Sequence, residues 1–190
     1  MLPSIELRWF YPGNLPEEVS AWFKADNLGQ LLAPEQREDI YLLVAPDCDY
    51  MGIKLRQRRL EVKWRRAELG TVSFGNLVEG KLEKWGKWFC EDSTGESFQP
   101  QGVVTKSEWI RVKKVRQQRT ERDCSVEITQ LDINGNNWWS LAFEAIGEDS
   151  AAIANLQALG SNIFQNYIYH QLQAQDSFAY PSWLAIAALN

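Results

Sequence analysis

The sequence predicts an α+β domain: an antiparallel, closed or nearly closed β-barrel of about eight strands, with flanking helices and a C-terminal helix. Three observations point there. About eight segments alternate polar and bulky residues with period two, the strand signature. Turn and loop signals separate them, Pro12-Gly13 and Asn134-Gly135-Asn136 foremost. Helical spacing appears chiefly after residue 149, and no linker or repeat divides the 190 residues, so 1–190 reads as one domain.

The elements follow in order. A strand at 5–11 sets Glu6 and Arg8 against Ile5, Leu7 and Trp9. A helix over 16–27 begins with acidic residues, as the helix dipole favours. Strands are expected at 37–45, 52–58 and 59–66, then at 78–85 within the ambiguous stretch 71–88. Residues 91–107, rich in Ser, Thr, Gly, Gln and Pro, read as a long loop. Strands follow at 108–115 (extending to 119), 123–131 and 138–146, the last two joined by a hairpin at Asn134-Gly135-Asn136. The barrel thus spans about 4–146 and a helical region about 149–190. Asp149-Ser150 caps a helix running to about Gln173, and the apolar tail from Phe178 to Leu189 holds a short helix.

Composition narrows the function. The hydrophobic fraction of 45% and nine tryptophans supply a core, and the net charge of −5 gives no whole-chain electrostatic signature of nucleic-acid binding. Charge is segregated, however: residues 54–66 hold seven Lys or Arg against one Glu, and 111–122 is again basic. A basic site within an acidic protein suits a small anion better than a long duplex. Cys48, Cys90 and Cys124 match neither a zinc pattern nor a disulfide framework. The single histidine, His170, excludes His-rich metal sites and reads as a surface or interface residue. No signal segment and no apolar run near 20 residues appear, so the expectation is a cytoplasmic protein without a membrane partner.

Two orientations of the sheet are open. Lys54, Arg56 and Arg58 share one face, as do Glu61, Lys63 and Arg65, against Ile53, Leu55, Leu60, Val62 and Trp64. With charges outside, the chain is a calycin-like barrel for an apolar or pigment ligand. With charges inside, bulky faces lie beneath helices and both signs of charge line a wet cavity, a tolerable arrangement when opposite charges face one another. A third reading is an interaction module. There the apolar tail closes a homodimer or docks on a partner, or else it covers the end of its own barrel.

The pattern Glu6-x-Arg8-x-Phe10, Asp39-x-Tyr41, Lys54-x-Arg56, Lys63-x-Arg65, Lys113 to Arg116, Glu127, and Ala142-x-Glu144 resembles the CYTH-like, or triphosphate tunnel metalloenzyme, superfamily. Thiamine, inorganic and RNA triphosphatases and class IV adenylyl cyclases belong to it. The resemblance runs in order through residues 4–146. It implies phosphate contacts from Arg8, Lys54, Arg56, Lys63, Arg65, Lys113 and Arg116, and Mg²⁺ or Mn²⁺ held by Glu6, Glu127 and Glu144. Lys113 and Arg116 share a face only if their strand carries a bulge. Departures are Arg8 and Ala142 at acidic positions and Phe10 at a lysine position. They argue against a two-metal site, and Arg8 in place of a metal favours anion binding over hydrolysis; no catalytic residue is assigned.

Overall fold

The computed structural model describes residues 3–25, 29–57, 59–90 and 109–188. The predicted loop at 91–107 and Arg58 lie outside them. Strands β1 (Ser4–Pro12), β3 (Glu35–Leu42), β4 (Met51–Arg56), β5 (Arg59–Phe74), β6 (Val78–Phe89), β7 (Trp109–Glu121), β8 (Cys124–Ile133) and β9 (Asn136–Ile146) form an antiparallel sheet. Its order is β7-β3-β4-β5-β6-β1-β9-β8, and β8 pairs back onto β7 to close the barrel. The short β2 (Gln30–Leu31) extends β3 along β7. Closure removes free sheet edges.

Two apolar clusters hold the barrel. Outside, Ile5, Leu7 and Trp9 of β1 and Val126, Leu141 and Phe143 of β8 and β9 pack under α2 (Asp149–Ile163) and α1 (Glu17–Ala25). Gly160 of α2 lies so close to the Phe74 ring that a Cβ would meet it at 2.5 Å. Arg119 of β7 donates to the carbonyls of Phe23 and Lys24, 2.8 Å each, placing a cation at the C-terminus of α1. Inside, at one end of the barrel, Phe10, Tyr41, Val112, Leu131 and Ile133 enclose α3 (Tyr180–Ala188). Trp183 is fully buried there and stacks on Phe10 at 5.1 Å and 8°. The C-terminal tail therefore plugs its own barrel.

Several expectations shift. The strand expected to end at residue 66 continues to Phe74 through register shifts at Arg65/Ala67 and Glu68/Thr71, so 67–70 is bulged strand. The long helix stops at Ile163 rather than Gln173, because Phe164 and Tyr167 turn inward against Trp22 and leave Ile168 exposed. Glu148, not Asp149 or Ser150, stands at its N-cap; Asp149 pairs with Lys84 instead. His170 sits beyond the helix against Tyr11 and Trp139. The hairpin keeps its expected turn, with Asn134 and Gly135 at φ 54° and 83°, the left-handed pair that matches sheet twist.

Candidate functional site

The barrel interior is a charged cavity of about 950 Å³, open solvent at its mouth included. Period-two alternation puts Glu6 and Arg8 (β1), Lys54 and Arg56 (β4), Glu61 and Lys63 (β5), Lys114 and Arg116 (β7), Glu127 (β8) and Glu144 (β9) on its lining. Arg37, Glu83, Trp85 and Lys87 join them, with Tyr180 and Pro181 of the plug. Lys63 thus faces inward and Val62 outward, which overturns the calycin-like orientation.

Among the described residues the lining carries eight cations, Arg8, Arg37, Lys54, Arg56, Lys63, Lys87, Lys114 and Arg116, against five carboxylates. Two buried carboxylates organise one wall. Asp39 receives two hydrogen bonds from Arg56, at 3.2 Å each, and pairs with Lys114 at 3.1 Å and Arg37 at 3.5 Å. Glu61 pairs with Lys54 at 3.1 Å, Arg59 at 3.2 Å, Lys87 at 3.6 Å and Arg56 at 3.8 Å. Six described cations thus crowd these two carboxylates, Arg37 also donating to a third, Glu35, at 2.6 Å, while its Nε is buried without a hydrogen bond.

The ionisation states follow from this crowding. Burial opposes charge on Glu61, yet Lys54 and Arg56 hold its carboxyl down at about 2. Asp39 is likewise held well below the carboxylate range, burial notwithstanding, by Lys114, Lys54 and Arg56. Lys54 shifts against its own charge: burial, then Arg56 and Lys114, push it well below its ordinary value.

The opposite wall is more acidic. Glu6 and Glu144 stand directly across from each other on β1 and β9. Glu6 is ion-paired with Lys63 and accepts from Ser4, which together hold it below its ordinary value against burial. Among the described residues Glu144 has no hydrogen bond or ion pair, and Glu6 first, burial second, raises its carboxyl. Between the walls, Arg8 donates to Glu127 at 2.7 Å across the small Ala142 that separates them in register, and Arg116 donates to the other oxygen at 3.2 Å. These arginines hold Glu127 at about 2 despite burial.

Exposure grows from the plug outward: Lys114 is 1% exposed, Lys54 19%, Lys87 41% and Arg59 46%. Among the described residues the cavity is blind at the plug and opens at the opposite end.

Comparison with known structures agrees on architecture. Neither a protein-family model nor a curated protein matches the chain. A conserved hypothetical protein of Pyrococcus furiosus is similar over 94% of this chain and 98% of its own, at 13% identity and TM-score 0.52. That likeness covers nearly the whole of both chains, so the two share the fold of a closed antiparallel barrel with flanking helices. The PH1012 protein of Pyrococcus horikoshii OT3 (12% identity; 90% of this chain, 93% of that one; TM-score 0.48) is also similar. So is the S. pombe Pct1 RNA triphosphatase in complex with the Spt5 CTD (11% identity; 85% and 82% covered; TM-score 0.45).

Within this barrel, Arg8, Lys54, Arg56, Lys63, Arg116, Glu6, Glu127 and Glu144 come together on one cavity, and two expected residues do not. β7 pairs regularly with β3 and β8, with no bulge, so Lys113 points out to solvent and Lys114 points in. Arg65 lies outside the lining, spread over Asp49, Glu68 and Glu83 at 2.8–3.0 Å. Sequence reasoning missed Arg37, Lys87 and Tyr180 as lining residues. Arg37 shares parity with Asp39 and could have been found; nothing in the tail announced that Tyr180 would enter the barrel.

Proposed function

We propose that this chain binds an inorganic triphosphate or a similar short phosphorylated anion in the blind basic cavity. The observation that carries the reading is the crowding of six cations on two buried carboxylates, with Arg37 also paired to Glu35. Ion pairs that only stabilise a fold pair off, because a buried charge without its partner costs several kcal/mol. Here the surplus positive charge, the unbonded Arg37 Nε and the depressed Lys54 are compensated by phosphate oxygens entering from the mouth. Arg37, Arg56 and Arg116 offer paired N–H groups, and Lys54 and Lys63 act as point charges.

The expected Mg²⁺ or Mn²⁺ fits this donor set in part. Glu127 is already held by Arg8 and Arg116 and does not fit as a ligand. Glu6 and Glu144, facing each other with Glu144 unpaired among the described residues, would hold one ion, the number of carboxylates Mg²⁺ commonly uses alongside substrate oxygens. Bound there, the ion would neutralise phosphate charge. This supports at most one metal, with anion binding primary and hydrolysis secondary. A homodimer through the C-terminal region has no part in this reading, since α3 buries its apolar residues inside its own barrel.

Calorimetric titration with inorganic triphosphate, with and without Mg²⁺, tests the proposal. Wild type is expected to bind at micromolar levels and Arg56→Gln at least about tenfold more weakly, the scale of one charged hydrogen bond. Equal binding by both proteins contradicts it. Phosphate release dependent on Mg²⁺ and lost in Glu144→Gln would establish the enzyme reading.

A further inference from the structure

At the floor of the cavity, Lys114 has the least room for its charge of any described lining cation. Its side chain is 1% exposed, and its Nζ donates to the Tyr41 hydroxyl at 2.5 Å and lies 4.7 Å and 4.0 Å from the ring centres of Tyr41 and Tyr180. Tyr180 reaches this position from α3, so the plug helix is what seals the amine from water. The carboxylate it touches, Asp39, also serves Arg37 and Arg56.

We propose that polyanion binding in this cavity is coupled to protonation of Lys114, so that the bound anion brings one proton with it and affinity falls as pH rises above neutrality. The inference rests on the cavity being the anion site.

The groups facing Lys114 set the balance. From β3 come Arg37, Asp39 and Tyr41; from β4, Lys54 and Arg56; from β8, Glu127; from α3, Tyr180, which burial holds neutral with its hydroxyl pushed up to about 12. Without ligand, burial and the guanidinium charges of Arg37 and Arg56 outweigh Asp39 and push the Lys114 amine down to about 7. At pH 8 most of the amine is therefore neutral. A phosphate group against this wall supplies the missing negative charge and returns the amine toward its ordinary range, where it is charged. By linkage, log K then falls by up to about one for each pH unit between the free and the bound value. The cationic tyrosine-flanked floor thus makes the site a sensor of pH as well as of anions.

The test is titration of inorganic triphosphate at pH 8 without metal, in two buffers of different ionisation heat, which counts protons taken up. Lys114→Arg, whose guanidinium stays charged, serves as reference and cancels the ligand's own titration. Wild type is expected to take up about one proton more than the variant and to lose about tenfold more affinity between pH 8 and 9. Equal uptake and parallel pH profiles overturn the coupling. If the bulkier guanidinium prevents folding, Lys114→Met gives the second comparison: weak binding without that extra proton supports the coupling, and unchanged uptake overturns it. A wild type that binds no triphosphate at any pH overturns the anion-site reading itself, a result distinct from binding without uptake.

Discussion

Asp39→Asn separates what the buried charges do for the fold from what they do for a ligand. The substitution is nearly isosteric and removes the carboxylate on which Arg37, Arg56 and Lys114 converge at 3.1–3.5 Å. Breaking a buried ion pair from one side costs about 3–5 kcal/mol because the remaining charge is left uncompensated. Two guanidiniums cannot deprotonate, but Lys114 can, and with its amine already near 7 the cost of doing so at neutral pH is small. The loss should therefore sit near the lower bound, about 3 kcal/mol, or about 6–12 °C in Tm for a chain of this size. Urea unfolding followed by tryptophan fluorescence measures it, since Trp9, Trp85, Trp139 and Trp183 lie in the core. Ligand response should move the opposite way. Inorganic triphosphate at a hundred times its Kd stabilises wild type by about 2.7 kcal/mol, and it should stabilise the variant by more, because it then replaces the missing carboxylate. A loss below about 1 kcal/mol, or a smaller response to triphosphate than wild type shows, would refute the idea that this wall holds surplus positive charge.

Four further outcomes follow from the same geometry. Trp183→Ala removes a fully buried ring stacked on Phe10 and should cost about 3–5 kcal/mol in denaturant unfolding; a loss under about 1 kcal/mol would mean that α3 does not plug the barrel. Glu61 and Glu127, lowered to about 2 from an ordinary 4.5, contribute about 3 kcal/mol each that is fully present above pH 4.5 and lost as pH falls toward 2, so stability should drop steeply over that window. Lys114 has the same sense in a higher window, since the folded state binds fewer protons there too: its burial costs stability below pH 7, and that cost is relieved as pH rises from 7 to 10.5. Lys113→Ala, on the exposed outer face, should change stability by less than about 0.5 kcal/mol and leave triphosphate binding intact; weakened binding would return Lys113 to the cavity.

Period-two alternation made most of the cavity readable from the chain alone, because a strand residue's face depends only on parity. Glu6, Arg8, Lys54, Arg56, Glu61 and Lys63 could be grouped that way. Parity also limited the reading: Lys113 and Arg116 are three apart, so one had to face out, and only the register Asp39↔Val112 and Glu35↔Arg116 decides which. Arg65 has the right parity, but the bulge that follows it and the carboxylates of Asp49 and Glu68 beyond the cavity, with Glu83 at its edge, draw it away. The helix end at Ile163 was hidden because Tyr167 and Ile168 continue the helical spacing while Phe164 is claimed by a core of Trp9, Trp22 and Phe74 rings. Which of several apolar surfaces the tail would bury against is a tertiary matter, and Trp183 in the barrel end left no trace in local periodicity.

The most direct test of anion binding in the barrel is a crystal structure of the chain grown with inorganic triphosphate. Phosphate density is expected inside the barrel, within hydrogen-bond distance of Arg37, Lys54 and Arg56 and reaching toward Lys114. An empty cavity in a crystal saturated with triphosphate, or phosphate bound only on the outer surface, would contradict it.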